Sequence, residues 1–207
     1  METTVRSITS VGPDTIAVDL RTPPDFTAAP GQFVKLLFEI DGETTGRFYT
    51  ISSPSVTDSF ELTIGFDPQA GGAVTERLQS LSEGDVLAFE GPFGQSTYEG
   101  EPQVVVLAGG PGIGPAVAIA DVALAADADV TVIYQAPAPV HGQRLDAVEA
   151  AGASVWVGDA PLADAVAAVD ADPTGAQVFV FGFADLVAEA TAISGIDATT
   201  AKIENFG

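Results

Sequence analysis

Val104–Ala108 is an unbroken apolar run, and it constrains the fold more than any other stretch of the chain. A strand without polar alternation must be covered on both faces, as in a parallel sheet flanked by helices. The residues C-terminal to the run keep to that plan. Strands at Val130–Tyr134, Ser154–Val157, Gln177–Phe181 and Thr200–Glu204 alternate with helical stretches at Ile113–Ala126, Gln143–Ala151, Leu162–Val169 and Ala184–Ile193. Such a series predicts an α/β parallel sheet with helices on both faces. The N-terminal half differs in character. Thr3–Val11, Thr15–Arg21, Gln32–Ile40, Arg47–Ser52, Ser59–Phe66 and Val86–Glu90 are short, and Gly12-Pro13-Asp14, Pro30-Gly31 and Asp41-Gly42 punctuate them. Short strands with frequent turns predict a small β-barrel. The change comes near Glu99-Gly100-Glu101-Pro102.

The chain has 207 residues and no cysteine. That removes disulfides, thiolate metal sites, cysteine nucleophiles and cysteine-held iron–sulfur clusters. With a lone histidine, His141, neither a histidine metal site nor a Ser-His-Asp triad is expected. His141 lies in a proline-rich loop and reads as solvated. Twenty-nine acids stand against seven bases, a formal charge of -22. Nucleic-acid binding needs clustered Lys and Arg, so that partner is excluded. The acids are dispersed, as on a salt-adapted surface, and a halophilic source is expected over a merely acidic mesophilic one. At molar salt the Debye length is only about 3 Å, so such a surface repels itself little. No charge-free apolar run reaches the roughly 18 residues of a membrane span. Met1-Glu2-Thr3-Thr4 begins no basic-then-apolar leader, so the expected location is cytoplasmic.

Arg47-Phe48-Tyr49-Thr50-Ile51-Ser52-Ser53-Pro54 opens on one of the seven bases. In a strand, Arg47, Tyr49 and Ile51 share one face, and Phe48, Thr50 and Ser52 the other. A guanidinium forks onto phosphate, a tyrosine offers a stacking face, and a threonine offers a donor and an acceptor. The set suits a flavin dinucleotide, and equally a half-buried strand with an edge arginine. Gly71–Leu78 opens a short helix with Thr75 at its cap or first turn, where free N–H groups favour an anion. It also reads as an ordinary loop before a helix. Ala108–Pro115 joins the first parallel strand to its helix, with Pro115 in the first turn. Its glycines allow a pyrophosphate close to the backbone, though the Gly-x-Gly-x-x-Gly spacing is not met. Tyr134-Gln135-Ala136-Pro137 offers neither an acid for a ribose hydroxyl nor an arginine for a 2′-phosphate. Arg144 stands either to reach such a phosphate or to pair with Asp146 or Glu149 on a helix surface.

The run from Arg47 to Pro54 resembles the Arg-x-Tyr-Ser/Thr flavin signature of the ferredoxin–NADP reductase superfamily. Later motifs fall in the order of that family. Gly72, Thr75 and Leu78 match its Gly-x-x-Ser/Thr-x-x-Leu element, and Gly91-Pro92-Phe93-Gly94 its Gly-Pro-x-Gly turn. Gly109, Gly110, Gly112, Ile113 and Pro115 match its Gly-Gly-x-Gly-Ile-x-Pro motif. Val178–Val187 resembles its Cys-Gly-Pro segment, and Glu204 and Phe206 match its Glu-x-aromatic ending.

The resemblance implies a six-stranded antiparallel FAD-binding barrel over residues 1–98 and an α/β NAD(P)-binding domain over 99–207. It gives Arg47 to the FAD pyrophosphate, Tyr49 to the isoalloxazine and Thr50 to flavin N5. Phe48, Ser53, Gly65, Gly71, Gly72, Ala73, Val74 and Thr75 complete the implied flavin set. Gly109, Gly110, Gly112, Ile113, Gly114, Pro115, Phe181 and Gly182 form the nicotinamide-nucleotide set. Thr50, Glu204 and Phe206 stand at the reacting centre. Departures are Pro111 where Thr is common, Gly114 for Thr or Ala, Phe181 for Cys and Phe183 for Pro. The implied function is hydride transfer from NADH or NADPH to FAD, and electron passage to a soluble acceptor such as ferredoxin, flavodoxin or free flavin. The alternative, which the departures favour, is a flavin-binding electron-transfer subunit that depends on a partner.

Overall fold

The computed structural model describes residues 1–66 and 71–206. Its first half is a sheet of six strands: β1 (Glu2–Gly12), β2 (Thr15–Arg21), β3 (Phe33–Ile40), β4 (Glu43–Thr50), β5 (Ser59–Gly65) and β6 (Val86–Phe93). A short helix, α1 (Ala73–Gln79), lies between β5 and β6. The order is β4-β3-β6-β1-β2-β5, and every pairing is antiparallel. The sheet closes on itself just past β4, where Ile51 bridges Leu62 and Ser52 N donates to Glu61 O at 2.8 Å. Period-two alternation sends Phe60, Leu62 and Ile64 inward, with Val34, Leu36 and Phe38 from β3. Phe26 packs on Phe60 and Phe89 with both centroid distances 5.1 Å.

β4 begins four residues before the arginine run. Asp41 (φ 52°) and Gly42 (φ 83°) form a two-residue turn with both residues left-handed, and Ile40 pairs with Glu43. That turn type matches strand twist, so the hairpin zips from the turn itself, through a polar segment that shows no apolar alternation.

The second half holds five parallel strands, β7 (Gln103–Gly109), β8 (Asp129–Gln135), β9 (Ser154–Gly158), β10 (Gln177–Gly182) and β11 (Lys202–Asn205), in the order β11-β10-β7-β8-β9. Helices α2 (Ile113–Ala125), α3 (Gly142–Ala150), α4 (Leu162–Ala168) and α5 (Ala184–Thr191) separate them. β7 lies at the centre. Val104, Val106 and Ala108 pack in one cluster with α2 and α3, while Val105 and Leu107 pack with α4 and α5. The apolar run is thus covered on both faces.

α2 is buried at every residue from Ile113 to Ala120, because its outer side meets the barrel. Small side chains allow that approach. A Cβ on Gly114 would lie 2.3 Å from Thr63 Oγ1 and 2.8 Å from Ser52 Cβ. α3 completes the seam. Arg144 donates to Ser52 O at 2.6 Å and to Glu61 Oε1 at 3.1 Å on the barrel, and to Asp121 Oδ2 at 3.3 Å on α2. The arginine therefore ties the two halves together and pairs with neither Asp146 nor Glu149.

His141 is also not the solvated loop residue its neighbours suggest. It is buried, caps α3 with φ 54°, and its Nε2 lies 2.8 Å from Thr63 Oγ1. Its backbone N–H donates to Val11 O at 2.8 Å. Burial, with Arg144 beside it, holds the imidazole pKa down to about 4, so the ring is neutral at physiological pH. Lys202 makes a further link, donating to Thr97 O at 2.6 Å and Glu101 Oε1 at 2.7 Å.

The Gly114 contact is testable. A bulky β-branched side chain gains only roughly a few tenths of a kcal/mol over Gly in helix propensity, whereas overpacking costs about 1–3 kcal/mol. Gly114→Val should lower stability by about that amount in chemical denaturation, and Thr63→Ala in the same chain should recover part of it. Additive losses would show that the two residues do not meet.

Candidate functional site

Ligand crevices in open α/β sheets lie outside the carboxyl ends of the strands, where the order reverses. Here that point is between β7 and β10, the strands that end at Gly109 and Gly182. The barrel faces it with β4 and β5. Between them is a cavity of about 210 Å³, walled by Arg47, Phe48, Tyr49, Thr50, Thr63 and Gly65 on one side and Pro111, Pro115, Phe183 and Phe206 on the other. Three hollows continue from it. One of about 360 Å³ joins Arg47 and Tyr49 to Gly71–Thr75 at the start of α1. One of about 440 Å³ runs from Gly65 and Pro111 to Ala136–Ala138 beyond β8. One of about 760 Å³ lies beyond Thr50, among Phe33, Phe48, Phe93 and Phe206.

Strand alternation places the barrel side chains. Arg47 and Tyr49 share the hollow that leads to α1. The Arg47 guanidinium donates to Gly46 O at 2.9 Å. Among the described residues no carboxylate pairs with it, in a chain of 29 acids. In α1 the first helical bond runs from Glu76 N to Gly72 O, which leaves the N–H groups of Ala73, Val74 and Thr75 without intrahelical acceptors. Burial raises the Tyr49 pKa to about 12 despite the nearby arginine, so its phenol stays protonated.

Thr50 is buried, and its Oγ1 donates to Glu204 Oε2 at 2.9 Å, a bond from the barrel to the last strand. Glu204 Oε1 is buried with no partner among the described residues. Burial, only partly offset by the Thr50 bond, raises the Glu204 pKa to about 7. Phe206 meets Phe183 edge-on at 6.0 Å and 88°.

The other expected residues divide by position. Gly65 and Pro115 border the central cavity, and Gly71, Gly72, Ala73, Val74 and Thr75 border the hollow beside Arg47. Gly110 borders the hollow past β8, and its carbonyl accepts the Tyr134 hydroxyl at 3.1 Å. Ser53 instead accepts from Glu61 N at 3.1 Å, inside the barrel closure. Gly109, Gly112, Ile113 and Gly114 are buried behind the turn. Gly112 is required by packing, since a Cβ there would lie 2.2 Å from Phe181 O. Phe181 itself does not line the cleft. Its ring is fully buried, stacked on Phe179 at 6.2 Å and 15° in the core beneath α2. Gly182 ends β10, where its carbonyl accepts Phe206 N at 3.0 Å.

Thr63 and Phe33 were not singled out from sequence, and Phe183 and Phe93 were named only within motifs, the first as a departure and the second in the Gly-Pro-x-Gly turn, not as site residues. For Thr63 a signal existed: alternation sets Glu61, Thr63 and Gly65 opposite Phe60, Leu62 and Ile64. For Phe183, 53% exposed after a strand-ending glycine, the signal was an aromatic with no core to enter.

Residues 2–98 match the family model of the oxidoreductase FAD-binding domain. The glycine betaine monooxygenase reductase subunit of Pseudomonas aeruginosa is 42% identical over 123 residues, 58% of this chain and 32% of that protein. The probable dihydroorotate dehydrogenase B (NAD(+)) electron transfer subunit of Methanothermobacter thermautotrophicus is 32% identical over 126 residues, 61% of this chain and 45% of that protein. The chain thus spans less than half the length of these two curated relatives. The crystal structure of a ferredoxin NADP+ reductase from Neisseria gonorrhoeae with bound FAD and NADP superposes with a TM-score of 0.83 at 16% identity, covering 100% of this chain and 98% of that one. At that identity the likeness is one of fold.

The Glu204 environment predicts a pH signature. The folded chain holds this proton up to about pH 7, whereas the ordinary carboxyl value is 4.5. Its contribution to stability is therefore fully present at low pH and falls as pH rises from about 4.5 to about 7. Glu204→Gln should remove that dependence. The stability difference between variant and parent, from denaturation at several pH values, should grow in the variant's favour across that window and level off above it. A constant difference would contradict a carboxyl held buried with Oε1 unpartnered.

Proposed function

We propose that the chain, whose residues 2–98 match the oxidoreductase FAD-binding domain, is a member of the superfamily of FAD- and NAD(P)-binding oxidoreductases that includes the ferredoxin–NADP reductases, and that it draws hydride from a nicotinamide nucleotide and passes electrons to a separate acceptor. The observation that carries this reading is Arg47, a base without a carboxylate partner among the described residues, set beside the first-turn backbone of α1 in a chain of charge -22.

The residues present fit FAD. Arg47 would hold the pyrophosphate by charge-assisted bonds, together with the N–H groups of Ala73, Val74 and Thr75. Tyr49 would offer its ring face to the isoalloxazine, and as a neutral phenol it adds no charge there. FAD, when bound, supplies the hydride-accepting and electron-releasing chemistry. The chain positions and excludes water. Thr50 directs its proton to Glu204, which leaves its oxygen lone pairs to accept a bond from a ring N–H. Glu204, with its pKa near neutrality, can hold or release a proton at Oε1. Pro111, Pro115, Phe183 and Phe206 give the nicotinamide side an apolar wall that keeps water out.

Pro111 also supports a second reading, an electron-transfer subunit that reaches full activity only with its partner. Proline brings no hydroxyl to orient a carboxamide. Phe48 and Phe93, 61% and 40% exposed beside the Thr50–Glu204 bond, suit contact with an apolar surface of an acceptor such as a ferredoxin or flavodoxin. A cytoplasmic setting and adaptation to high salt are part of the same proposal. They are supported by the dispersed acids and by a described chain in which no helix is long and apolar enough to cross a membrane.

Arg47→Ala should weaken FAD binding roughly 10- to 100-fold, the range of a lost charge-assisted bond, with Arg47→Lys between the two. Fluorescence titration of the apoprotein reads this directly. Unchanged affinity would remove Arg47 from the flavin site.

A further inference from the structure

We infer that the cleft selects NADH over NADPH. This rests on reading it as a nicotinamide-nucleotide site. The two nucleotides differ by one 2′-phosphate, which sites of this architecture hold with a basic side chain near the end of the second parallel strand. Here that strand is β8, and the hollow beyond it reaches from Gly110 and Pro111 to Ala136–Ala138.

No base lines that hollow among the described residues, and its polar side chains are Asp14, Thr15 and Tyr134. An acid and two hydroxyls suit the hydroxyls of a ribose and oppose a phosphate dianion. At the end of β8 itself, Gln135 Nε2 donates to Ala160 O at 3.0 Å and to Glu189 Oε2 at 3.2 Å, which brings a second carboxylate to this edge.

All seven bases of the chain lie in described residues. Arg6, Lys35, Arg77 and Lys202 are each paired with a carboxylate and do not line the hollow. Arg21 ends β2 opposite Ser59, and Arg47 faces the start of α1. Arg144, the candidate nearest in sequence, spends its guanidinium on Ser52 O, Glu61 and Asp121. Turning it outward would leave those two carboxylates facing each other across the seam without a counter-charge. Each base is thus either paired with a carboxylate or placed outside this hollow, and the chain's net charge repels an added dianion.

Two measurements on the FAD-loaded protein test this. In anaerobic steady-state assays with ferricyanide as acceptor, kcat/KM for NADH should exceed that for NADPH by roughly 10- to 100-fold, the worth of an unmade charge-assisted bond. In calorimetry, adenosine 5′-monophosphate should bind more tightly than adenosine 2′,5′-bisphosphate. Equal use of NADPH, or tighter binding of the bisphosphate, overturns the inference. If the monophosphate is preferred but neither nucleotide is oxidised, the selectivity stands and the hydride-transfer reading fails. If neither probe binds and neither nucleotide reacts, the nucleotide site itself is wrong and the selectivity falls with it.

Discussion

The bonds of Arg144 hold together everything this fold can do. One guanidinium reaches a backbone carbonyl just past β4, a carboxylate on β5 and a carboxylate on α2, with distances from 2.6 to 3.3 Å. The barrel and the parallel sheet are each complete hydrogen-bonded units. Neither alone makes a cleft. The cleft exists because the barrel's closing edge is fixed against the first helix of the sheet, and that edge continues directly from Thr50. Around Arg144, Gly114 lets the backbones approach, and neutral His141 reaches Thr63 without placing a second positive charge beside the guanidinium. Charge pairing supplies direction and close packing supplies distance.

Function on this scaffold depends on a contrast in electrostatics. Acids dominate the composition, yet two bases, Arg21 and Arg47, have no acid paired with them among the described residues, and of the two Arg47 lines the cavity. At the other end of the cavity, Glu204 is an acid whose Oε1 is buried and which pairs with no base among the described residues. In the proposed reading a phosphate is held at Arg47 and a proton at Glu204. The apolar walls between them fit a flat ring system. The hollow beyond β8 is lined by Asp14 and by no base among the described residues, which is the ground for the proposed preference for NADH.

Much of this was legible in the sequence because it depends on local rules. The apolar run Val104–Ala108 required covered faces, and β7 lies at the centre of its sheet. Alternation in the Arg47 run brought Arg47 and Tyr49 to one hollow. What was not legible depends on which distant segments meet. Nothing local marks the Ser52 carbonyl as the target of Arg144, or Thr63 as the partner of His141. The first contact spans 92 residues of chain and the second 78, and both join the barrel to the other half. Phe181 occupies a motif position, but its strand faces a core that the motif does not describe. The early start of β4 was hidden because an edge hairpin needs its turn more than it needs apolar alternation.

On this account one cleft brings a barrel-bound flavin and a nicotinamide nucleotide together. The most direct measurement is the visible absorption of the FAD-reconstituted chain, without oxygen, before and after NADH is added. Loss of the oxidised flavin band at a rate that saturates with NADH is the predicted result. A band that persists with NADH, and with NADPH, yet disappears with dithionite would show that this chain alone does not bring the two together.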